Sequence, residues 1–145
     1  MNRYIKVLIV SVMIYLPVNT FAWSMLGHRI VGQIAENHLT NKARKAVKAI
    51  LGNESLAMAS NWGDFIKSDP AYDYLYNWHF VNLPAGLSKK GVFDFLEKDT
   101  ATSVYTKIPA MITILKDNGS TKDQKVFAMR MLIHLVGDVN QPMHT

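Results

Sequence analysis

Five histidines and no cysteine set the first limits on any chemistry this sequence can perform. Without Cys there is no disulfide, no thiolate ligand and no Cys nucleophile, so a metal site must be built from imidazole, carboxylate or a chain terminus. The most informative spacing is His134-x3-Asp138-x5-His144. Residues four apart on a helix project from one face a single turn apart. As a salt bridge such a pair is worth only about 0.3 to 0.5 kcal/mol. As metal ligands, that separation lets an imidazole and a carboxylate converge on one zinc ion. Spacing alone leaves both readings open.

Three further residues have the right chemistry. Asp64 follows Ser60-Asn61-Trp62-Gly63, where it reads either as a capping carboxylate or as a ligand. His79 lies in Tyr76-Asn77-Trp78-His79-Phe80-Val81-Asn82-Leu83-Pro84, a stretch that could equally be an aromatic core patch. His28 falls at the opening of a helical pattern, five residues after Trp23. The fifth histidine, His38, shares the stripe of Ile30 and Ile34 and is expected to pack in the interior.

The importance of Trp23 depends on the leader. Arg3 and Lys6 precede an apolar run from Val7 to Leu16, and Thr20-Phe21-Ala22 supplies small residues at a cleavage site, the pattern of a secretory signal peptide. The run is shorter than the roughly 20 residues of a membrane span. Residues 1–22 are thus expected to be removed, giving a secreted or periplasmic protein, residues 23–145, without stable membrane association. Its α-amine, on Trp23, would have a pKa of about 7.7 to 8.0 and be an available nitrogen ligand. Trp23, His28, Asp64, His79, His134, Asp138 and His144 form more ligand clusters than one tetrahedral ion can use. Nitrogen and oxygen donors suit zinc, and closely spaced zinc ions suit phosphoryl hydrolysis.

The elements that must position these residues are helical. Periodicity predicts helices over Leu26–Leu39, Lys42–Leu51 and Ser55–Lys67, then an irregular connection from Ser68 to Gly91 containing Pro70 and Pro84. Asp94–Lys116 is helical in pattern, with Pro109 expected to divide or kink it. Thr121-Lys122-Asp123-Gln124 is a capping box that opens a last helix through Val126, Met129, Ile133 and Val136. No alternating strand pattern occurs, so the expected fold is a single all-α domain. The 16 Lys+Arg against 11 Asp+Glu give a formal charge of +5, a weak indication of a polyanionic partner. Lys42, Arg44, Lys45 and Lys48 read as the solvated face of the second helix.

Taken jointly, Trp-x4-His, Asn-Trp-Gly-Asp, Trp-His-Phe-Val-Asn-Leu-Pro and His-Leu-Val-Gly-Asp-Val-Asn-Gln-Pro-Met-His resemble the S1/P1 nuclease family from Trp23 to His144. Members are secreted trinuclear-zinc enzymes that cleave single-stranded DNA and RNA. The resemblance implies a multi-helix fold of the zinc-dependent nuclease and phospholipase C type. It implies a single-stranded nucleic acid substrate, 5′-phosphorylated products and, as a further capacity, 3′-nucleotidase activity. It assigns Asp64, His79, His134 and Asp138 to one zinc. It gives the amine and carbonyl of Trp23, with His28 and a shared Asp138, to a second, and His144 to a third. Phe80 would stack on an unpaired base and Asn82 would face its edge. Asp64 and Lys67 would belong to the catalytic apparatus, Lys67 neutralising phosphate charge without the bidentate geometry of the Arg often found there.

The sequence departs from the family pattern at two places. Asn82 stands where some members carry Asp, and the later His-x3-Asp pair that completes the third zinc does not follow His144. The resemblance therefore leads one to expect the N-terminal part of such a domain, with two of three zinc sites largely present. Two other readings are open: a zinc-dependent phospholipase C-like hydrolase, which shares the terminal Trp ligand and His-x3-Asp-x5-His, and a non-catalytic secreted helical domain.

Overall fold

A computed structural model of the chain describes residues 25–141 and 144; the expected leader and Trp23 lie outside them. Among the described residues seven α-helices follow in order: α1 Met25–Asn37, α2 Asn41–Leu51, α3 Leu56–Ala59, α4 Trp62–Ile66, α5 Lys89–Lys98, α6 Val104–Lys116 and α7 Lys122–Asp138. A 3-10 segment, Pro70–Trp78, lies between α4 and α5. No strand occurs among the described residues, and the all-α expectation holds.

The last helix organises the rest. Thr121 and Gln124 close the expected capping box, the Gln124 backbone N–H donating to Thr121 Oγ1 and the Thr121 N–H to Gln124 Oε1. From there α7 packs against α1, α2, α3, α4 and α6. It can do so because it is apolar on two sides. Ala128, Met131 and Leu135 enter a core with Leu75, Trp78, Val81, Val104 and Met111. On another side Val126, Met129 and Ile133 pack against a smaller cluster of Leu51, Leu56 and Ala59. Between these faces runs a polar stripe at four-residue steps, Arg130, His134 and Asp138, of which the last two are fully buried.

The pattern misled at three places. The helix expected over Ser55–Lys67 is two short helices, α3 and α4, broken at Ser60-Asn61. A continuous helix would need the Ser60 carbonyl for the Asp64 N–H. That N–H bonds instead to Asn61 O at 3.1 Å, and Ser60 O accepts from His134 Nδ1 at 2.7 Å. The expected helix Asp94–Lys116 does divide, but at Asp99–Ser103 rather than Pro109, which sits inside α6. Asp99 Oδ1 accepts from Ala101 N, and Thr106 Oγ1 accepts from Ser103 N to restart the chain as helix.

The third case is the face of α1. Ile30 and Ile34, on the stripe expected inside, are 51 and 55% exposed, and His38 is exposed beyond the helix end. His28 and Gly32 are buried instead. A Cβ on Gly32 would lie 2.5 Å from Leu56 O, so the glycine lets α1 rest directly on the α3 backbone and turns that side inward. Glu36 Oε2 then accepts from the otherwise unpaired Leu56 N–H at 3.0 Å, fastening α1 to the start of α3.

Candidate metal centre

Each ligand candidate is delivered by a motif in which neighbouring residues have separate structural tasks. In Asn-Trp-Gly-Asp, buried Asn61, with its amide turned to satisfy both groups, donates to Met25 O and accepts from Arg29 Nε. Trp62 packs edge-on against Tyr72 and Phe127 at 5.8 and 5.6 Å, anchoring α4 in the core. Gly63 lies against the His134 ring. Asp64 is then turned toward the centre. In Trp-His-Phe, Trp78 enters the core beside Phe127, and His79 falls on the opposite side. Phe80 is held by its carbonyl, which accepts from Val104 N, and Val81 N donates to His144 O at 2.9 Å.

These motifs converge on the Asp138 carboxylate. It lies 3.3 Å from His28 Nε2, 3.0 Å from His79 Nδ1, 3.2 Å from His134 Nε2 and 3.8 Å from His144 Nε2. Asp64 approaches the same rings, 3.7 Å from His28 Nε2 and 3.8 Å from His134 Nε2. His28 and His134 stack with ring centroids 4.2 Å apart and planes at 20°. His79 meets His134 edge-on, with Nδ1 of the former 2.9 Å from Nε2 of the latter.

The Ser60 carbonyl can only accept, so His134 donates from Nδ1. A neutral His134 ring therefore carries its lone pair on Nε2, facing inward, the orientation a carbonyl behind a metal-bound imidazole imposes. A protonated ring donates from Nε2 to Asp138 as well. Burial opposes ionisation of Asp138. Hydrogen bonds from His134, His28 and His79 outweigh it and hold the carboxyl far below its ordinary range. Burial likewise works against a charged His134, but Asp138 and the Ser60 carbonyl raise its pKa overall. At His79 burial prevails over the Asp138 contact and lowers the pKa. Asp64 is lowered despite partial burial, chiefly by Lys67, whose Nζ is 2.7 Å from Oδ1.

Among the described residues two overlapping sets could hold a metal ion: His28, Asp64 and His134, and His79, His134 and Asp138. The ligand atoms within each set lie no more than 4.8 Å apart. Imidazole and carboxylate donors with a Nε2 lone pair aimed between them fit a zinc-type ion. His134 is common to both sets, whereas the ligand division expected from the resemblance placed His28 and His134 on different ions. His144 stands beside Asp138, and Trp23 lies outside the described residues. Phe80 and Asn82 line a cavity of about 460 Å³ with Asn77, Phe95, Asp99 and Ser103. Sequence reasoning missed Ser60, Asn61, Gly63 and Gly137, which touch the candidate ligands without being ligand types. The only available signal was their place inside the quoted motifs.

The whole span from Trp23 is matched by one family model, described as S1/P1 Nuclease, over residues 23–145. The chain is 27% identical over 132 residues to Nuclease S1 of Aspergillus oryzae, covering 86% of this chain and 45% of that protein. It is 26% identical over 127 residues to Nuclease P1 of Penicillium citrinum, covering 84% and 47%. Endonuclease 2 of Arabidopsis thaliana is 26% identical over 157 residues, covering 97% of this chain and 52% of that protein. The chain thus spans about half the length of the curated relatives it matches. Because the matched span contains every motif that builds the convergent histidine and aspartate cluster, fold, site and sequence agree that this chain belongs to the S1/P1 nuclease family.

Proposed function

We propose that this protein is a zinc-dependent phosphodiester hydrolase, an endonuclease acting on single-stranded DNA or RNA to leave 5′-phosphorylated products, with 3′-nucleotidase activity as a further capacity. The observation that carries the reading is the buried Asp138 carboxylate, whose oxygens face four imidazole nitrogens at 3.0 to 3.8 Å. Asp64, His79, His134 and Asp138 would hold one ion. The Trp23 amine and carbonyl with His28 and Asp138 would hold another, and His144 would contribute to a third. When bound, such ions lower the pKa of water and stabilise the attacking and leaving oxygens of a phosphodiester.

The chain's own residues supply the remainder. Lys67 is exposed, so its ammonium can reach a substrate phosphate and offset charge as it develops. The half-buried Phe80 lines a cavity with Asn82, and stacking of a base on its ring would require an unpaired base. Asn82 presents both a donor and an acceptor to a base edge, where a carboxylate would only accept. Removal of residues 1–22 would free the Trp23 amine and place the protein outside the cytoplasm. Among the described residues no helix is long and apolar enough to cross a membrane.

Two measurements test the proposal: metal content of the purified protein, and hydrolysis of single-stranded DNA alongside phosphatidylcholine. Bound zinc with cleavage of the nucleic acid is expected. Lipid cleavage alone would reverse the substrate assignment, and absence of bound zinc with retained cleavage would refute the metal-dependent mechanism.

A further inference from the structure

We propose that Gly137 is a positioning residue, and that its missing side chain sets the plane of the His28 imidazole at the metal centre. The proposal rests on the metal-centre reading above. The starting point is a contrast between two buried histidines. His134 is oriented by its Nδ1 hydrogen bond to Ser60 O, whereas His28 Nδ1 is buried and has no hydrogen-bond partner among the described residues. Metal-bound imidazoles are normally oriented by such an outer hydrogen bond. For His28 that role falls to contact.

Two surfaces confine the ring. It stacks on His134 at 4.2 Å between centroids, and it lies against Gly137 of α7. A Cβ built on Gly137 would stand 2.6 Å from His28 Nδ1 and 3.0 Å from Cε1. All three nearest atoms belong to that ring. The contrast with Gly32 is informative, since a Cβ there would meet the backbone of Leu56 and Ala57. Gly32 permits two helices to touch; Gly137 makes room for one imidazole.

Conformational freedom does not account for the glycine. Gly137 lies within α7 and is not among the glycines with positive φ, which are Gly52 and Gly86 among the described residues. In such backbone an alanine would favour the helix. The backbone cannot easily yield to a Cβ either, because the next residue is the carboxylate Asp138 on which the rings converge. The relief must come from the His28 ring, which swings away from Asp138 and takes Nε2 out of its 3.3 Å approach. Gly63 repeats the arrangement on the other ring: its Cβ would stand 2.5 Å from His134 Cδ2, and it immediately precedes Asp64.

A double-mutant cycle tests this through metal-free stability and Co²⁺ binding. Thermal melting is measured in chelator for the wild-type chain, Gly137→Ala, His28→Ala and the double variant, and Co²⁺ titrations followed by absorption are run on wild type and Gly137→Ala. Gly137→Ala is expected to lower the melting temperature when His28 is present and to raise it or leave it unchanged when His28 is alanine. Its Co²⁺ affinity should fall about tenfold or more, with a changed absorption band. If Gly137→Ala alone does not fold, recovery of folding in the double variant supports the proposal, and failure of both overturns it. An equal melting loss in both backgrounds overturns it, as does unchanged Co²⁺ affinity in Gly137→Ala. A wild-type chain that binds no Co²⁺ overturns the metal-centre reading itself, and this inference with it.

Discussion

At the scale of single residues, His134 is the group on which most contacts depend. Its Nε2 faces Asp138, Asp64 and His79, and its Nδ1 is occupied by the Ser60 carbonyl. Its partner Asp138 also faces His28 and His79 and is the ligand shared between two ions in the proposed assignment, so Asp138→Ala should lose more bound zinc than either His28→Ala or His79→Ala, each of which removes a ligand from one ion. Metal analysis of the three variants checks this; equal losses would contradict the shared role. Lys67 should behave differently. It touches Asp64 but offers no ligand atom, so Lys67→Ala is expected to keep its zinc and lose about tenfold or more in turnover, with partial recovery in Lys67→Arg. Zinc loss in Lys67→Ala would instead make the lysine a support for Asp64. The candidate ligands were legible because imidazoles and carboxylates announce themselves by type. Ser60 was not, since it acts through a backbone carbonyl that every residue possesses.

At the scale of elements, the joints between helices decide where the ligands point. The cap at the start of α7 was legible from Thr121 and Gln124, because a capping box is a local event between residues three apart. The break between α3 and α4 was not, because it depends on His134, which is 74 residues from Ser60. The buried side of α1 was obscured for the same reason: Gly32 and the Leu56 backbone choose it, against the stripe of Ile30, Ile34 and His38. Glu36 secures that choice. Removing its carboxylate leaves the Leu56 N–H at the start of α3 without an acceptor, so Glu36→Ala should cost about 1 kcal/mol, the usual penalty for a lost cap. In a chain of this size the melting temperature should fall by roughly 4 °C. No change in melting would mean that the contact adds nothing to the α1–α3 joint.

At the scale of the molecule, the centre adds a polar junction to parts of the chain that the two hydrophobic clusters and the contacts of α7 already bring together. His28 comes from α1, Asp64 from α4, His79 from the end of the 3-10 segment, and His134 and Asp138 from α7. Without metal, Asp138 sits buried among imidazoles that must share protons with it and with one another, an arrangement that stabilises only while the charges match. A bound cation would satisfy both carboxylates and the inward lone pairs at once, and the unfolded chain presents no comparable cluster. Binding free energy would then appear as folding stability. For one ion at a free concentration about 100 times its Kd, the gain is about 2.7 kcal/mol. Chelation should therefore lower the melting temperature by several degrees, zinc should restore it, and the shift should shrink most in Asp138→Ala, which removes the shared ligand. The restoring metal also distinguishes sites, because Mg²⁺ prefers an octahedral oxygen shell and should not replace zinc at imidazole nitrogens. Melting that ignores chelator, or is restored equally by Mg²⁺, would mean that these histidines and aspartates hold the helices together by proton sharing alone.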